Sequence, residues 1–393
     1  TSDRMVNMNR HFLRDIADIQ TGPFGSQLHK EDYVDIGTPI VTVEHLGNRV
    51  FTEQNLPKVS DEDKARLSKY VLKEGDIVFS RVGSVDRCSY VDAAHDGWMF
   101  SGRCLRVRPN TEVDPLYLYY FFCLEDTKQF VRNIAVGATM PSINTKLLGE
   151  VEVAYPSQTE QQKIVALLSA LDDKIEINQK INDNLQQQAA ALFANFYDQA
   201  ETEVGFTEMI QILGGGTPKT GESSYWNGDI PFFTPKDVGF PYTLTTEKTI
   251  TEEGLAHCNS RLYPINTVFV TARGTVGKVG LPGVPMAMNQ SCYALVGKDT
   301  HQLLVYFYTL KAVDRLKHKA SGAVFDAITT RDFEAENIMK LSDDDTKAFL
   351  DVAEPIYQAV LNNSIENLRL SELRDSLLPK LMNGEIDVTD IRL

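Results

Sequence analysis

Gly137-Ala138-Thr139-Met140-Pro141-Ser142-Ile143-Asn144-Thr145-Lys146 returns at an offset of 185 as Gly322-Ala323-Val324-Phe325-Asp326-Ala327-Ile328-Thr329-Thr330-Arg331. A long fixed period marks a duplicated structural unit. The same offset carries Ile164, Leu168, Leu171 and Ile175 onto Phe349, Ala353, Ile356 and Val360, and Asn178 and Asn182 onto Asn363 and Asn367. Upstream, Gly75-Asp76-Ile77-Val78-Phe79-Ser80-Arg81-Val82-Gly83-Ser84-Val85 echoes Asn266-Thr267-Val268-Phe269-Val270-Thr271-Ala272-Arg273-Gly274-Thr275-Val276, read with one residue inserted. The chain is two copies of one module.

Each copy opens with short Val/Ile/Phe/Tyr runs broken by Gly and Pro, the pattern of mixed, strand-rich structure. Each ends in a long helical pattern. Apolar residues step by four and three through Ile164, Leu168, Leu171, Ile175, Leu185, Ala189, Leu192 and Phe196, and through Phe349, Ala353, Ile356, Val360, Leu370, Leu377 and Leu381. Two matched helices of ~40 residues, ~60 Å long, would bury these stripes on each other; alternatively each lies on its own domain. The expected fold class is α+β. Two mixed α/β domains, 1–155 and 206–340, are joined by helices in 156–205 and 341–393 that form an antiparallel coiled coil with an internal pseudo-two-fold repeat.

Read as heptads, the steps place Asn178 and Asn363 at d, and Asn182 and Asn367 at a. Antiparallel helices pair a with d, so Asn178 should face Asn367 and Asn182 should face Asn363. The same rule joins Ile175 with Leu370, Ile164 with Leu381, Ala189 with Ile356 and Leu192 with Ala353, setting small residues against large ones. Buried asparagines weaken a seam but fix its register.

The chain has 393 residues, 42% hydrophobic and 24% charged, without a low-complexity tract. It should be folded almost throughout. No apolar run approaches the ~20 residues that span a bilayer, and Thr1-Ser2-Asp3-Arg4 lacks a signal-peptide core, so a cytoplasmic protein with no membrane partner is expected. Cys88, Cys104, Cys123, Cys258 and Cys292 are scattered and read as reduced core thiols.

The net charge of −15 is uneven. Residues 1–155 carry −4 and 206–340 carry zero, while 156–205 and 341–393 carry −5 and −6. The acidity is concentrated in the helical segments, which are expected to face protein, with Asp172 and Glu176 as exposed acids. A near-neutral domain can still present a basic face to phosphate.

Catalytic patterns fail. Gly214-Gly215-Gly216-Thr217-Pro218-Lys219-Thr220 lacks the Gly-Lys-Ser/Thr of a Walker loop, and Gly274-Thr275-Val276-Gly277-Lys278 is followed by Val279 where Ser or Thr is needed. No Asn/Asp-Pro-Pro-Tyr/Phe run of an amino-methyltransferase occurs, and no zinc spacing joins the histidines to the cysteines. Glu62-Asp63-Lys64 has the ExK spacing of some nucleases but lies in a charged, solvated run.

What remains suits phosphates and base edges. Gly22, Phe24, Gly25, Ser26 and Gln27 begin the first copy, and the Gly214 to Thr220 loop, with Thr217 and Lys219, begins the second. Glycines there let backbone N–H groups approach a phosphate, or simply make tight turns. Ser80, Arg81 and Ser84, and Thr271, Arg273, Thr275 and Lys278, follow a buried strand, where arginine can grip guanine O6 and N7 or the loop can be a solvated hairpin tip. Lys146 and Arg331 each sit at an apparent helix start, favourable for phosphate or explained by capping alone. Tyr225, Trp226, Phe232 and Phe233 could stack on a splayed base, although aromatic runs near Pro are more often core.

The chain resembles the specificity (S) subunit of type I restriction-modification enzymes from end to end. The resemblance rests on the turn at 22–26, the Leu72 to Gly83 strand and turn, the Gly214 to Thr220 loop and Met288-Asn289-Gln290. It rests further on Pro156-Ser157-Gln158-Thr159-Glu160-Gln161-Gln162-Lys163-Ile164 and Leu373-Arg374-Asp375-Ser376-Leu377-Leu378-Pro379-Lys380-Leu381-Met382-Asn383-Gly384-Glu385. It implies two target recognition domains, each reading half of a split duplex DNA sequence, with Asn289 and Gln290 among the candidate contacts. It also implies two docked modification subunits that use S-adenosylmethionine to methylate adenine, and restriction subunits that use ATP and Mg; none of these cofactors would be bound by this chain, which would not itself be an enzyme. The second copy departs twice. Its opening loop differs from Gly-Pro-Phe-Gly-Ser, which implies unlike half-sites, and Leu341 to Asp345 lacks the Pro-Ser-Gln-Thr-Glu-Gln-Gln run, which should change how its helix begins. A coiled-coil scaffold binding only proteins is the rival from another class; salt-dependent binding to duplex DNA separates the two.

Overall fold

A computed structural model of the chain describes residues 8–23, 25–319 and 326–389. The candidate Phe24 and the repeat residues Gly322 to Phe325 lie outside that range, as does the side chain of Ser26. The chain divides into two compact units, Thr1–Asp172 with Glu372–Leu393, and Asp173–Ser371.

The first unit is built on a four-stranded antiparallel sheet in the order Ala17–Thr21, Cys104–Pro109, Ile77–Ser80, Cys88–Tyr90. Ile77 to Ser80 is buried along its whole length, which is why Ile-Val-Phe-Ser lacks polar alternation. A side sheet runs Tyr33–Val34, Lys58–Val59, Thr38–Val41, Met99–Phe100, with the last two strands parallel. Helix Pro115–Cys123 starts with Pro115 in its first turn and Asp114 capping the N–H groups of Leu116 and Tyr117. Phe122 meets Phe79 edge-on at 4.7 Å between centroids.

The second unit repeats this plan. Its main sheet follows the same order, Ile210–Gly214, Cys292–Gly297, Val268–Thr271, Val279–Pro282, and gains a parallel edge strand, Tyr242–Thr243. In its side sheet, Trp226–Phe233 lies parallel to Ala287–Met288, as Thr38–Val41 does to Met99–Phe100. One helix, Gln302–Lys319, stands where the first unit has Pro115–Cys123 and Glu125–Ile134, separated by an extended Leu124 (ψ 134°).

The two turns after the buried strand align without an insertion, contrary to the sequence reading. Ser80 N–H donates to Arg87 O at 2.9 Å and Thr271 N–H to Lys278 O at 3.0 Å, and Ile143 N–H reaches Arg81 O as Ile328 N–H reaches Ala272 O, both at 2.9 Å. Arg81 therefore corresponds to Ala272, and Arg273 to Val82.

The two long helices are Gln158–Gln199 and Asp343–Met382. Both begin with the same cap despite their different sequences: Ser157 and Ser342 Oγ donate to Glu160 at 2.6 Å and Asp345 at 2.7 Å. The expected difference lies one residue further on. Fully buried Gln161 accepts from Asp114 N–H at 2.7 Å and donates to the carbonyls of Glu112 and Pro156, whereas Thr346 stands at its place in the second copy. The second helix closes at Gly384 (φ 71°), where N–H bonds from Glu385 to Lys380 O and from Gly384 to Leu381 O make a Schellman end.

Within the second unit the helices pair antiparallel in the expected register. Asn178 Nδ2 donates to Asn367 Oδ1 at 2.8 Å, and Asn363 Nδ2 to Asn182 Oδ1 at 2.8 Å. Ala189 and Phe193 share a core with Phe349 and Ala353, against which Leu192 and Ile356 pack. In the first unit Ile164 and Leu168 share a core with Leu378, Leu381 and Met382.

Asp172 is not an exposed acid. It is 8% exposed, accepting from Tyr120 Oη at 2.6 Å and from Arg374 Nη1 at 2.6 Å. A carboxylate this deep is retained because both oxygens are satisfied by donors. Glu176, half-buried, pairs with Lys180 at 2.6 Å.

Candidate nucleic-acid interface

In each unit a strand end, a capped turn and a glycine loop converge at one edge. In the second unit the turn after Val268–Thr271 is locked from within. Thr271 Oγ1 accepts from Lys278 N–H at 2.9 Å and donates to Thr275 O, and Gly277 N–H donates to Thr271 O at 2.8 Å. Gly274 and Gly277 take φ of 84° and 74°, which side-chain-bearing residues rarely adopt. Arg273 is exposed on this fixed backbone, and its N–H donates to Ser291 O at 3.2 Å.

Beside it, Thr234 caps the short turn Pro235–Asp237, its N–H and Oγ1 reaching Asp237 Oδ2 at 2.8 and 2.6 Å, and that turn presents Lys236 to solvent. Together these elements line an open cavity of about 550 Å³ whose polar groups include Thr234, Lys236, Lys248, Arg273, Thr275 and Asn289. Three cations against one carboxylate, Glu247, give its lining a positive balance.

The glycine loop fits closely beneath. A Cβ on Gly215 would lie 2.1 Å from Asn289 O, so only glycine lets the loop approach; a Cβ on Gly214 would meet nothing. Thr217 Oγ1 donates to Gln290 Oε1, tying the loop to the Asn289-Gln290 corner. Gly22 repeats this approach in the first unit, where a Cβ would lie 2.1 Å from Ser101 O.

The structure brings Arg273, Thr275 and Asn289 into one cavity, with Thr217 and Gln290 joined nearby. Several other candidates serve the fold. Ser80 and Thr271 are buried, with Ser80 Oγ donating to Val82 O at 2.7 Å, so their hydroxyls hold the turns instead of facing solvent. Gln27 Oε1 accepts from Tyr70 Oη at 2.6 Å, and half-buried Arg81 donates to Gly102 O at 3.0 Å. Gly25 (φ 61°), Ser84, Lys219 and Lys278 are exposed. Lys146 and Arg331 are exposed on helices of four and five residues capped by Asn144 and Thr329, the capping explanation. Phe232 and Phe233 are buried, Trp226 packs edge-on to Phe232, and Tyr225 stacks on His257.

Sequence reasoning missed Lys236 and Lys248, and in the first unit Glu44 and Arg103. They come from elements far in sequence from the strand-end motif: Glu44 and Lys236 lie on the Thr-capped turns after Thr38–Val41 and Trp226–Phe233, Lys248 on a strand, and Arg103 just before one. The five cysteines are free thiols, and burial pushes Cys104 and Cys292 up to about 12. Among the described residues no cluster of three His, Cys, Asp or Glu could hold a metal, and no helix is long and apolar enough to cross a membrane.

A family model, the type I restriction modification DNA specificity domain, matches residues 5–187 and again 202–340. The chain is 25% identical to the type I restriction enzyme HindI specificity subunit of Haemophilus influenzae, covering 83% of this chain and 89% of that one. It is 23% identical to the MjaIX specificity subunit of Methanocaldococcus jannaschii, covering 96% and 93%. A crystal structure of a type I restriction-modification S subunit from M. genitalium shares the fold, with a TM-score of 0.57, 16% identity and 97% of each chain covered.

Proposed function

The chain belongs to the type I restriction-modification DNA specificity family, and on that premise we propose that each of its two recognition domains, 1–155 and 206–340, reads one half of a bipartite duplex target. Specificity subunits are the non-catalytic DNA-recognition components of their complexes, so the chemistry belongs to the partners. The helices of 156–205 and 341–393 set the spacing between the half-sites and dock two modification subunits. Those subunits supply S-adenosylmethionine-dependent adenine methylation, and restriction subunits, where the system has them, supply ATP- and Mg-dependent cleavage. Neither cofactor is held by this chain.

The observation that carries this reading is the repetition of one edge in both units: a strand end, a Thr-capped turn and a closely packed glycine loop, in the same strand order. Rigid loops on a sheet scaffold are where side chains can be held against base edges. Exposed acids of the helices, among them Asp183, are suited to basic faces of the modification subunits. Candidate contacts are Arg273, Thr275, Asn289 and Lys236 in the second unit and Ser84, Arg103 and Glu44 in the first, with Gly22 and Gly215 shaping the loops.

Co-expression with the modification subunit, followed by mapping of methylated adenines, tests the proposal. One motif split by a fixed spacer supports it. A continuous motif, or methylation without sequence preference, overturns it.

A further inference from the structure

The two edges are equivalent in position and differ in charge. The register places Thr42 with Thr234, so Glu44 occupies the place of Lys236. Val82 occupies the place of Arg273, since Val82 bridges Ser142 as Arg273 bridges Ala327. The strand pairing of Pro39 with Lys58 and Pro231 with Thr249 puts Pro57 at the place of Lys248. All three cations of the second unit's cavity are therefore absent from the matching wall of the first, which carries a carboxylate, a valine and a proline instead. Exposed Arg103, at the place of Ser291, is the first unit's own cation there.

Arg273 is the group best placed to read a base. Its backbone is held from three sides, by Ser291 O, by the bridge to Ala327 and by the glycine turn, while its side chain stays exposed at the cavity. Among the described residues no carboxylate pairs with it, so its fork of donors is not consumed by the fold. Lys236 and Lys248 add donors without an acceptor fork of their own. In the major groove guanine offers two acceptors, O6 and N7, whereas adenine offers one acceptor beside an amino donor and cytosine offers a donor. Three cations against the one carboxylate of Glu247 favour guanine's paired acceptors over a base that presents an exocyclic amino group. Glu44 in the first unit, an acceptor, has the reverse preference.

We infer that the half-site read by the second unit carries a guanine facing Arg273, and that the matching position of the first unit's half-site carries a base with an amino donor, facing Glu44. This rests on the DNA-reading role proposed above and names what that role selects.

The test uses the complex of this chain with its modification subunit, assayed for methylation on a duplex library randomised across both half-sites. Wild type should require guanine at one position of one half-site. Arg273→Ala should lower that preference roughly 5- to 100-fold, leaving the other half-site untouched. Lys236→Glu, which converts the second turn to the charge of the first, should lower the same preference, so the inference does not depend on one variant. Co-purification with the modification subunit confirms that each variant is folded. If wild type reads a split motif but neither variant changes a guanine position, the inference fails while the DNA-reading role stands. Relaxation at a position that is not guanine also overturns it. A wild-type complex with no sequence preference overturns the role itself.

Discussion

Asn178 and Asn367 face each other across the two long helices, with Nδ2 of the first donating to Oδ1 of the second at 2.8 Å. Asn178 is 1% exposed, so its amide has no water to turn to. Asn178→Ala should cost about 1–3 kcal/mol by leaving Asn367 Oδ1 without its donor. Asn178→Leu with Asn367→Leu should recover that stability and loosen register. Denaturant unfolding of the three proteins checks this; a single variant as stable as wild type would show that the pair contributes nothing.

Glu366 makes the same seam sensitive to acid. Asn178 Nδ2, at 2.7 Å, holds the Glu366 carboxyl below its usual 4.5, and Lys174, at 3.4 Å, lowers it further. A carboxylate whose pKa falls on folding contributes stability that is present above the unfolded value and lost as pH drops through the folded one. The stability difference between wild type and Glu366→Gln should therefore be constant above about pH 5 and shrink as pH falls below it. A difference independent of pH between 3 and 7 would remove Glu366 from this role.

Arg374 compensates the buried Asp172 carboxylate, and the pairing pushes the arginine's pKa upward even though burial opposes it. Arg374→Met leaves that charge without its cation. The expected loss is about 2–4 kcal/mol, reduced from the fully buried case because Arg374 is a quarter exposed. Asp172→Asn combined with Arg374→Met should lose less, which thermal unfolding of the single and double variants would show.

Gly214 and Gly215 are adjacent and should behave differently. Gly214→Ala should be tolerated in both folding and methylation. Gly215→Ala must push the loop off Asn289 O, costing about 1–3 kcal/mol and weakening selection at the second unit's half-site. Equal behaviour of the two variants in a methylation assay would mean that the close approach does not shape the site.

The sequence made the duplication and the seam legible because both are periodic. Heptad spacing fixed which asparagines meet, since on an antiparallel seam the choice of one pair determines the rest. Charge was a poorer guide: Asp172 looks like any helical acid until Tyr120 and Arg374, from distant segments, close over it. The edge residues were half legible. A strand end bearing Arg273 and Thr275 can be read locally, but Lys236 and Lys248 join them only through parallel and antiparallel pairings that no local pattern announces. The polar residues Ser80 and Thr271 were misread because a hydroxyl after a strand serves a turn as readily as a ligand.

The division of labour between the two units is tested most directly by mapping methylated adenines for complexes carrying Arg103→Ala or Arg273→Ala. The two residues are exposed and belong to different copies of one edge. Arg103→Ala should relax bases in one half of the split target, and Arg273→Ala bases in the other half alone. Relaxation of the same half by both variants, or of both halves by either one, would contradict the assignment of one half-site to each unit.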